Sequence, residues 1–197
     1  MINTNLPAIY LASSSPQRQT LLTQLGVNFI VVTQQVDEQR LGQESAENMV
    51  ERLAIAKAQD GAKRLGARPY RPILGADTLV VIDNEILGKP ANKADALHML
   101  AQLSGQTHHV LSAVAVVNGD QLLSRVNKSS VTFAEISLEQ RQAYWETGEP
   151  IDKAGAYAVQ GQAGMFISRI EGSYSGIMGL PLYETSTLLQ SLTIKEP

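Results

Sequence analysis

Apolar residues recur along this chain with two periods, and the switches between them mark its elements. Ile9-Tyr10-Leu11-Ala12 reads as a short strand running into Ser13-Ser14-Ser15-Pro16. Leu21, Leu22 and Leu25 then repeat at helical spacing. Ser15 sits where an N-cap belongs, and Pro16 takes the first helical position, where its missing N–H has no partner to lose. Residues 29–32 form a second strand, 34–43 are polar, and Ser45 opens a helix to about Leu65, with Gly66 as its stop. The apolar run 72–82 turns at Asp83-Asn84 and continues through Ile86 and Leu87 to Gly88-Lys89-Pro90. A helix follows from near Lys93 to Ser104-Gly105. Strands at 110–117 and 121–133 flank Asn118-Gly119, the strongest short-range hairpin signal. Ser137-Leu138-Glu139-Gln140 has capping-box form and starts a helix that Gly148 ends. After a glycine-rich stretch, Phe166-Ile167 and Arg169-Ile170 are short strand candidates, and Pro181 starts a closing helix through Leu192. Long antiparallel pieces beside helices predict an α/β fold with a mixed, largely antiparallel twisted sheet flanked by helices. No linker, repeat or composition shift divides the chain, so residues 1–197 are expected to form one domain, with a single core or two lobes around a cleft.

Asp77 is the residue that this pattern explains least. It lies in the apolar run Gly75-Ala76-Asp77-Thr78-Leu79-Val80, where a carboxylate costs free energy unless it is paired, binds a metal or is reached by substrate water. Gly75 and Ala76 leave room for a ligand to approach, and Thr78 adds a hydroxyl. An Asp-Thr pair bonded to its own backbone in a turn is the plainer alternative.

Five other segments carry possible chemistry. The Ser13-Ser14-Ser15-Pro16-Gln17-Arg18 turn joins a strand end to a helix start, so backbone N–H groups, hydroxyls and the positive helix end converge near a guanidinium. An ordinary serine cap would look the same. On a helical wheel Lys57 falls between Val50 and Leu53, inside the apolar arc that also holds Met49. It either snorkels to water or opens its ammonium into a cleft, where it would suit phosphate oxygens; Lys89, in its tight turn, is a second such donor. Val36-Asp37-Glu38 puts two acids after a strand, and either could join Asp77 around a hard divalent cation. The segment from Asp152 and Lys153 to Gln160 and Gly161 combines small residues with a planar amide that can offer one donor and one acceptor to a base edge.

Composition removes several classes. A net charge of −3 gives no sign of binding to polymeric nucleic acid, and the absence of cysteine excludes disulfides and thiolate metal sites. His98, His108 and His109 lack metal-ligand spacing. No stretch approaches a membrane span and the first residues lack leader character, so a soluble cytoplasmic protein is expected. The P-loop, the Gly-x-Gly-x-x-Gly loop and the Gly-x-Ser-x-Gly elbow are all missing.

Taken in order, Ser13-x-Ser-Pro-x-Arg18, Val36-Asp-Glu38, Ala54-x-x-Lys57-Ala58, Gly75-Ala-Asp-Thr78, Gly88-Lys-Pro90, Leu103-Ser-Gly-Gln-Thr107, Asp152-Lys-Ala-Gly-Ala-Tyr157 and Gly179-Leu-Pro181 resemble the Maf family of nucleoside triphosphate pyrophosphatases. The likeness runs from about Ile9 to Leu192. It implies an inosine-triphosphatase-like mixed fold with a deep cleft, a homodimer, a divalent cation (Mg²⁺ or Mn²⁺) and hydrolysis of a nucleoside triphosphate to monophosphate and pyrophosphate. In that pattern Asp77 accepts the proton of the attacking water, Glu38 helps Asp77 to hold the metal, and Lys57 and Lys89 face the phosphates. Ser13, Ser15, Gln17, Arg18, Thr78, Lys153 and Gln160 bind substrate. The Tyr-x-x-Gln-Gly form around Gln160 resembles the dTTP/UTP branch, because the 7-methyl-GTP branch carries a glutamate in that region. Physically, the Gln160 amide can accept from a pyrimidine N3–H and donate to O4. Two departures bear on selectivity: Gln17 stands where the family commonly has the first of two arginines, and Gly176 stands where many relatives have asparagine. The alternative from another class is a nucleotide-binding regulator of cell division with incidental hydrolysis.

Overall fold

The computed structural model describes residues 6–66 and 71–192. Its centre is a hairpin of two long strands, β5 (Thr107–Asn118) and β6 (Gln121–Phe133). Gly119 adopts φ 60°, so the tight turn is Gly119-Asp120 and Asn118 pairs with Gln121 as the last strand residue, one position later than the sequence predicts. β3 (Ile73–Ile82) runs antiparallel to β5, then doubles back into β4 (Glu85–Leu87) through Asp83 and Asn84. Both of those turn residues have positive φ, as the hairpin twist demands. β1 (Ile9–Leu11) pairs parallel with β3 and with β2 (Phe29–Val31), and β7 (Ile167–Glu171) closes the far edge. The order is β2-β1-β3-β5-β6-β7, with β4 beside β3, a mixed and mostly antiparallel seven-stranded sheet as expected.

The helices begin where their caps predict. Ser15, Ser45, Asn92 and Ser137 cap α1 (Pro16–Gln24), α2 (Ala46–Leu65), α3 (Lys93–Leu103) and α4 (Leu138–Glu146), and the last has the full capping box. α5 (Tyr174–Ile177) was not legible, because a single turn has no period to detect. α6 (Leu182–Gln190) stops two residues before the expected Leu192. Among the described residues no helix is long and apolar enough to cross a membrane.

Strand alternation divides the core into three clusters. On one face of β3, Leu74 and Ala76 join β1, α1 and α6, whereas Val80 and Ile82 join α3, Phe133 and Tyr157. Between them, on the same face, the hydroxyls of Thr78 and Ser112 bond at 2.8 Å and interrupt the apolar surface. The two lobes part at this polar belt. The other face is covered by α2 through Val50, Leu53, Ala54 and Ala58 against Leu79, Leu111 and Ala113. α2 lies unusually close to the sheet, since a Cβ on Gly75 would run into the backbone of Ala54 and Ala58, and one on Gly61 would come within 2.8 Å of the Ala12 Cβ. This seam of small residues fixes the height of Lys57 above β3.

Candidate active site

Where the lobes part, a cleft of about 910 Å³ opens, and every site residue named from the sequence except Asp37 lines it. One wall is built from the β1–α1 turn, α2 and the middle of β3. Lys57 is buried, 4% exposed, and does not snorkel to water: its Nζ lies 2.6 Å from Asp77 Oδ1 and 2.6 Å from Glu38 Oε1. The carboxylates of β3 and of the 34–43 loop therefore meet across one ammonium. Asp37 takes no part, because its carboxylate accepts the Gln39 N–H within its own loop.

Burial pushes Asp77 above its ordinary carboxylate value, against the opposing charges of Lys57 and Arg18. Burial acts the same way on Glu38, but there the hydrogen bond and charge of Lys57, with Lys89 and Arg18, prevail and bring it below its ordinary value. Burial thus outweighs the neighbouring cations at Asp77 and yields to them at Glu38. Arg18 spans the wall: Nη1 donates to Ser13 Oγ at 3.2 Å, Nε to Gly179 O at 2.9 Å, and Nη2 to Thr78 Oγ1 at 3.4 Å. Desolvation lowers its pKa, offset in part by the charge of Asp77. Gln17 accepts from the Ser15 hydroxyl at the lip of the same turn.

The opposite wall is different in kind. Lys89 is exposed in the Gly88 turn, Lys153 is half-buried and Gln160 is exposed. The two turns are joined by a hydrogen bond from Gly155 N–H to Gly88 O, 3.0 Å. Asp152 and Ala156 have φ 63° and 59°, a left-handed backbone that aspartate tolerates in turns and alanine seldom adopts. Arg40 and Gln34 also line the cleft and were not singled out from the sequence; their only signal is membership of the polar loop that carries Glu38. His108 is a core residue, bonded to the Tyr157 hydroxyl at 2.8 Å and pushed down to about 4 by burial.

Among the described residues no group of three or more His, Asp or Glu side chains is gathered as for an all-protein metal cage. The donor set is two carboxylates, Glu38 and Asp77, each with one oxygen on Lys57. That suits Mg²⁺ or Mn²⁺, which binds one or two carboxylates and completes its shell with water and substrate phosphate.

A cleft lined by cations and hydroxyls around a buried carboxylate, on a mixed α/β fold, suits phosphate chemistry. The Maf-like protein family model matches residues 8–192, and the chain belongs to that family. It is 51% identical over 184 residues to the dTTP/UTP pyrophosphatase of Pseudoalteromonas translucida, covering 93% of this chain and 96% of that protein. It is also 49% identical over 191 residues to the dTTP/UTP pyrophosphatase of Alkalilimnicola ehrlichii, covering 95% and 94%, and 50% identical over 198 residues to that of Burkholderia lata, with the same coverage. Among solved structures it is similar to the Staphylococcus aureus Ham1 protein, with TM-score 0.48 and 15% identity over 93% of this chain and 96% of the other, a likeness too distant to carry functional weight.

Proposed function

We propose that this protein hydrolyses dTTP and UTP to the nucleoside monophosphate and pyrophosphate, as the names of its relatives describe them. The observation that carries this reading is the Glu38-Lys57-Asp77 cluster at the heart of a cleft with cations on both walls. The triphosphate lies between the Ser13–Arg18 turn and the turns bearing Lys89 and Lys153. Asp77 keeps one oxygen on Lys57 and offers the other to the attacking water, whose proton it takes as the water adds to phosphorus. Burial favours protonation of its carboxylate, and Lys57, Arg18 and a bound cation act against that. Lys57, Arg18 and Lys89 stabilise charge building on the phosphoryl oxygens and on departing pyrophosphate. When bound at Glu38 and Asp77, Mg²⁺ or Mn²⁺ supplies further positive charge at the phosphates. Gln160 reads the base by accepting from pyrimidine N3–H and donating to O4.

The same reading makes the protein a cytoplasmic homodimer acting on free nucleotides, with no membrane or polymeric nucleic acid as partner. The test is a panel of dTTP, UTP, CTP, GTP and 7-methyl-GTP with Mg²⁺ or Mn²⁺, with pyrophosphate assayed separately from orthophosphate. Pyrophosphate from dTTP and UTP above the others is the expected result. None from any nucleotide sinks the enzyme reading in favour of a binding regulator, and preference for 7-methyl-GTP overturns the role given to Gln160.

A further inference from the structure

Gln160 stands on a segment whose backbone is held by a device outside the cleft. Tyr144, at the end of α4, is 3% exposed, and its ring packs edge-on to Phe166 with centroids 5.5 Å apart. Its hydroxyl donates to Glu149 Oε1 at 2.6 Å and accepts the Ala158 N–H at 3.2 Å. The Glu149 carboxylate also accepts the N–H groups of Gln162, at 2.9 Å, and Ala163, at 3.3 Å. A Cβ at Gly161 would run into that carboxylate, so a larger residue there would displace it. The chain is thus gripped two residues before Gln160 and two residues after it by one tyrosine–glutamate pair. Among the described residues the Gln160 side chain makes no hydrogen bond of its own, so its place at the cleft is set by this backbone.

Neither Glu149 nor Tyr144 lines the cleft. The ends of the segment are already secured by the apolar core, since Tyr157 and Phe166 both belong to the cluster around Phe133. The charge-assisted grip adds to that core by tying the opening N–H groups of the 162–166 turn to α4. Where a planar amide must meet a donor and an acceptor at once, an error of a fraction of an ångström costs one of the two bonds.

We infer that Glu149 and Tyr144 are positioning residues for base selection, holding the 158–163 segment so that Gln160 presents its amide at a fixed height to the pyrimidine edge. This rests on the reading that Gln160 meets the base. Loosening the grip weakens recognition of the base while leaving the reacting wall, across the cleft, as it was.

The test compares the full-length protein with Glu149→Gln and with the milder Tyr144→Phe, which keeps the buried ring. Three quantities are measured: binding of non-hydrolysable α,β-methylene-UTP and α,β-methylene-GTP with Mg²⁺ by calorimetry, steady-state kcat and KM for UTP, and amide exchange across 158–163. Loss of a charge-assisted bond should weaken binding of the UTP analogue about tenfold and narrow its advantage over the GTP analogue by a similar factor. KM should rise with kcat nearly kept, and exchange at Ala158, Gln162 and Ala163 should quicken. If Glu149→Gln does not fold, Tyr144→Phe decides. A folded variant with unchanged discrimination, an equal loss for both analogues, or a wild type that binds both alike overturns the inference. Pyrimidine-selective binding by a wild type that releases no pyrophosphate would instead overturn the enzymatic reading and leave this one standing.

Discussion

The two walls of the cleft solve the placement of polar groups in opposite ways. On the wall of α2 and β3, side chains lock one another: Lys57 holds Asp77 and Glu38, and Arg18 holds Ser13, Thr78 and Gly179. On the other wall Lys89 and Gln160 extend from fixed backbone, secured from behind by Gly88 and Glu149. The first arrangement prepares atoms for charge that develops during reaction, which must not wait for reorganisation. The second leaves side chains free to close on a ligand while keeping their origin constant.

The sharpest way to separate the walls is to remove the base. Asp77→Asn should lower kcat by about 10²- to 10⁴-fold with nucleotide binding retained, measured by single turnover and calorimetry. Unchanged turnover would take Asp77 out of that role. Next in size, Lys57→Met should cost about 10²-fold in kcat/KM. It also removes the cation that opposes burial at Asp77, so the acid limb of the pH–rate profile should move to higher pH; a limb that stays or moves down contradicts the pairing. Gln160→Glu, on the second wall, should leave kcat for the best substrate within a few-fold and shift preference away from pyrimidines by about tenfold. Smallest is a linkage effect. Because the folded pKa of Asp77 lies above its ordinary value of 3.8, the stability it contributes is full below that value and is lost as pH rises through the folded pKa. Asp77→Asn lacks this slope, so its stability relative to wild type should improve between pH 3 and pH 8 in denaturant titrations.

Much of the first wall was legible because helical period alone turns Lys57 inward beside Val50 and Leu53, and strand alternation leaves Asp77 among apolar neighbours. Periodicity alone did not show that they meet; the order of the motifs did. Asp77 lies 20 residues beyond Lys57 on another element, and Glu38 arrives from a loop without period. The caps named most helix starts, whereas α5 is a single turn and escaped. The Asn118-Gly119 signal marked the hairpin but not which residue would take positive φ. On the second wall Gln160 was visible as an amide among small residues, but its support was hidden. Glu149 reads as an acid after a helix stop, and nothing local tells that three donors converge on it.

The seam of small residues beneath α2 has a consequence for how this chain can vary. A lysine has a fixed reach, so the gap that Ala54, Ala58, Gly61 and Gly75 leave between helix and sheet is a gauge, and Lys57 is cut to its length. One added methyl at Gly75 must lift the helix, and the lysine then misses the two acids that it joins. Residues that never touch a nucleotide therefore set the tolerance of the machine, and wear at the seam would be recorded as a fault in its chemistry.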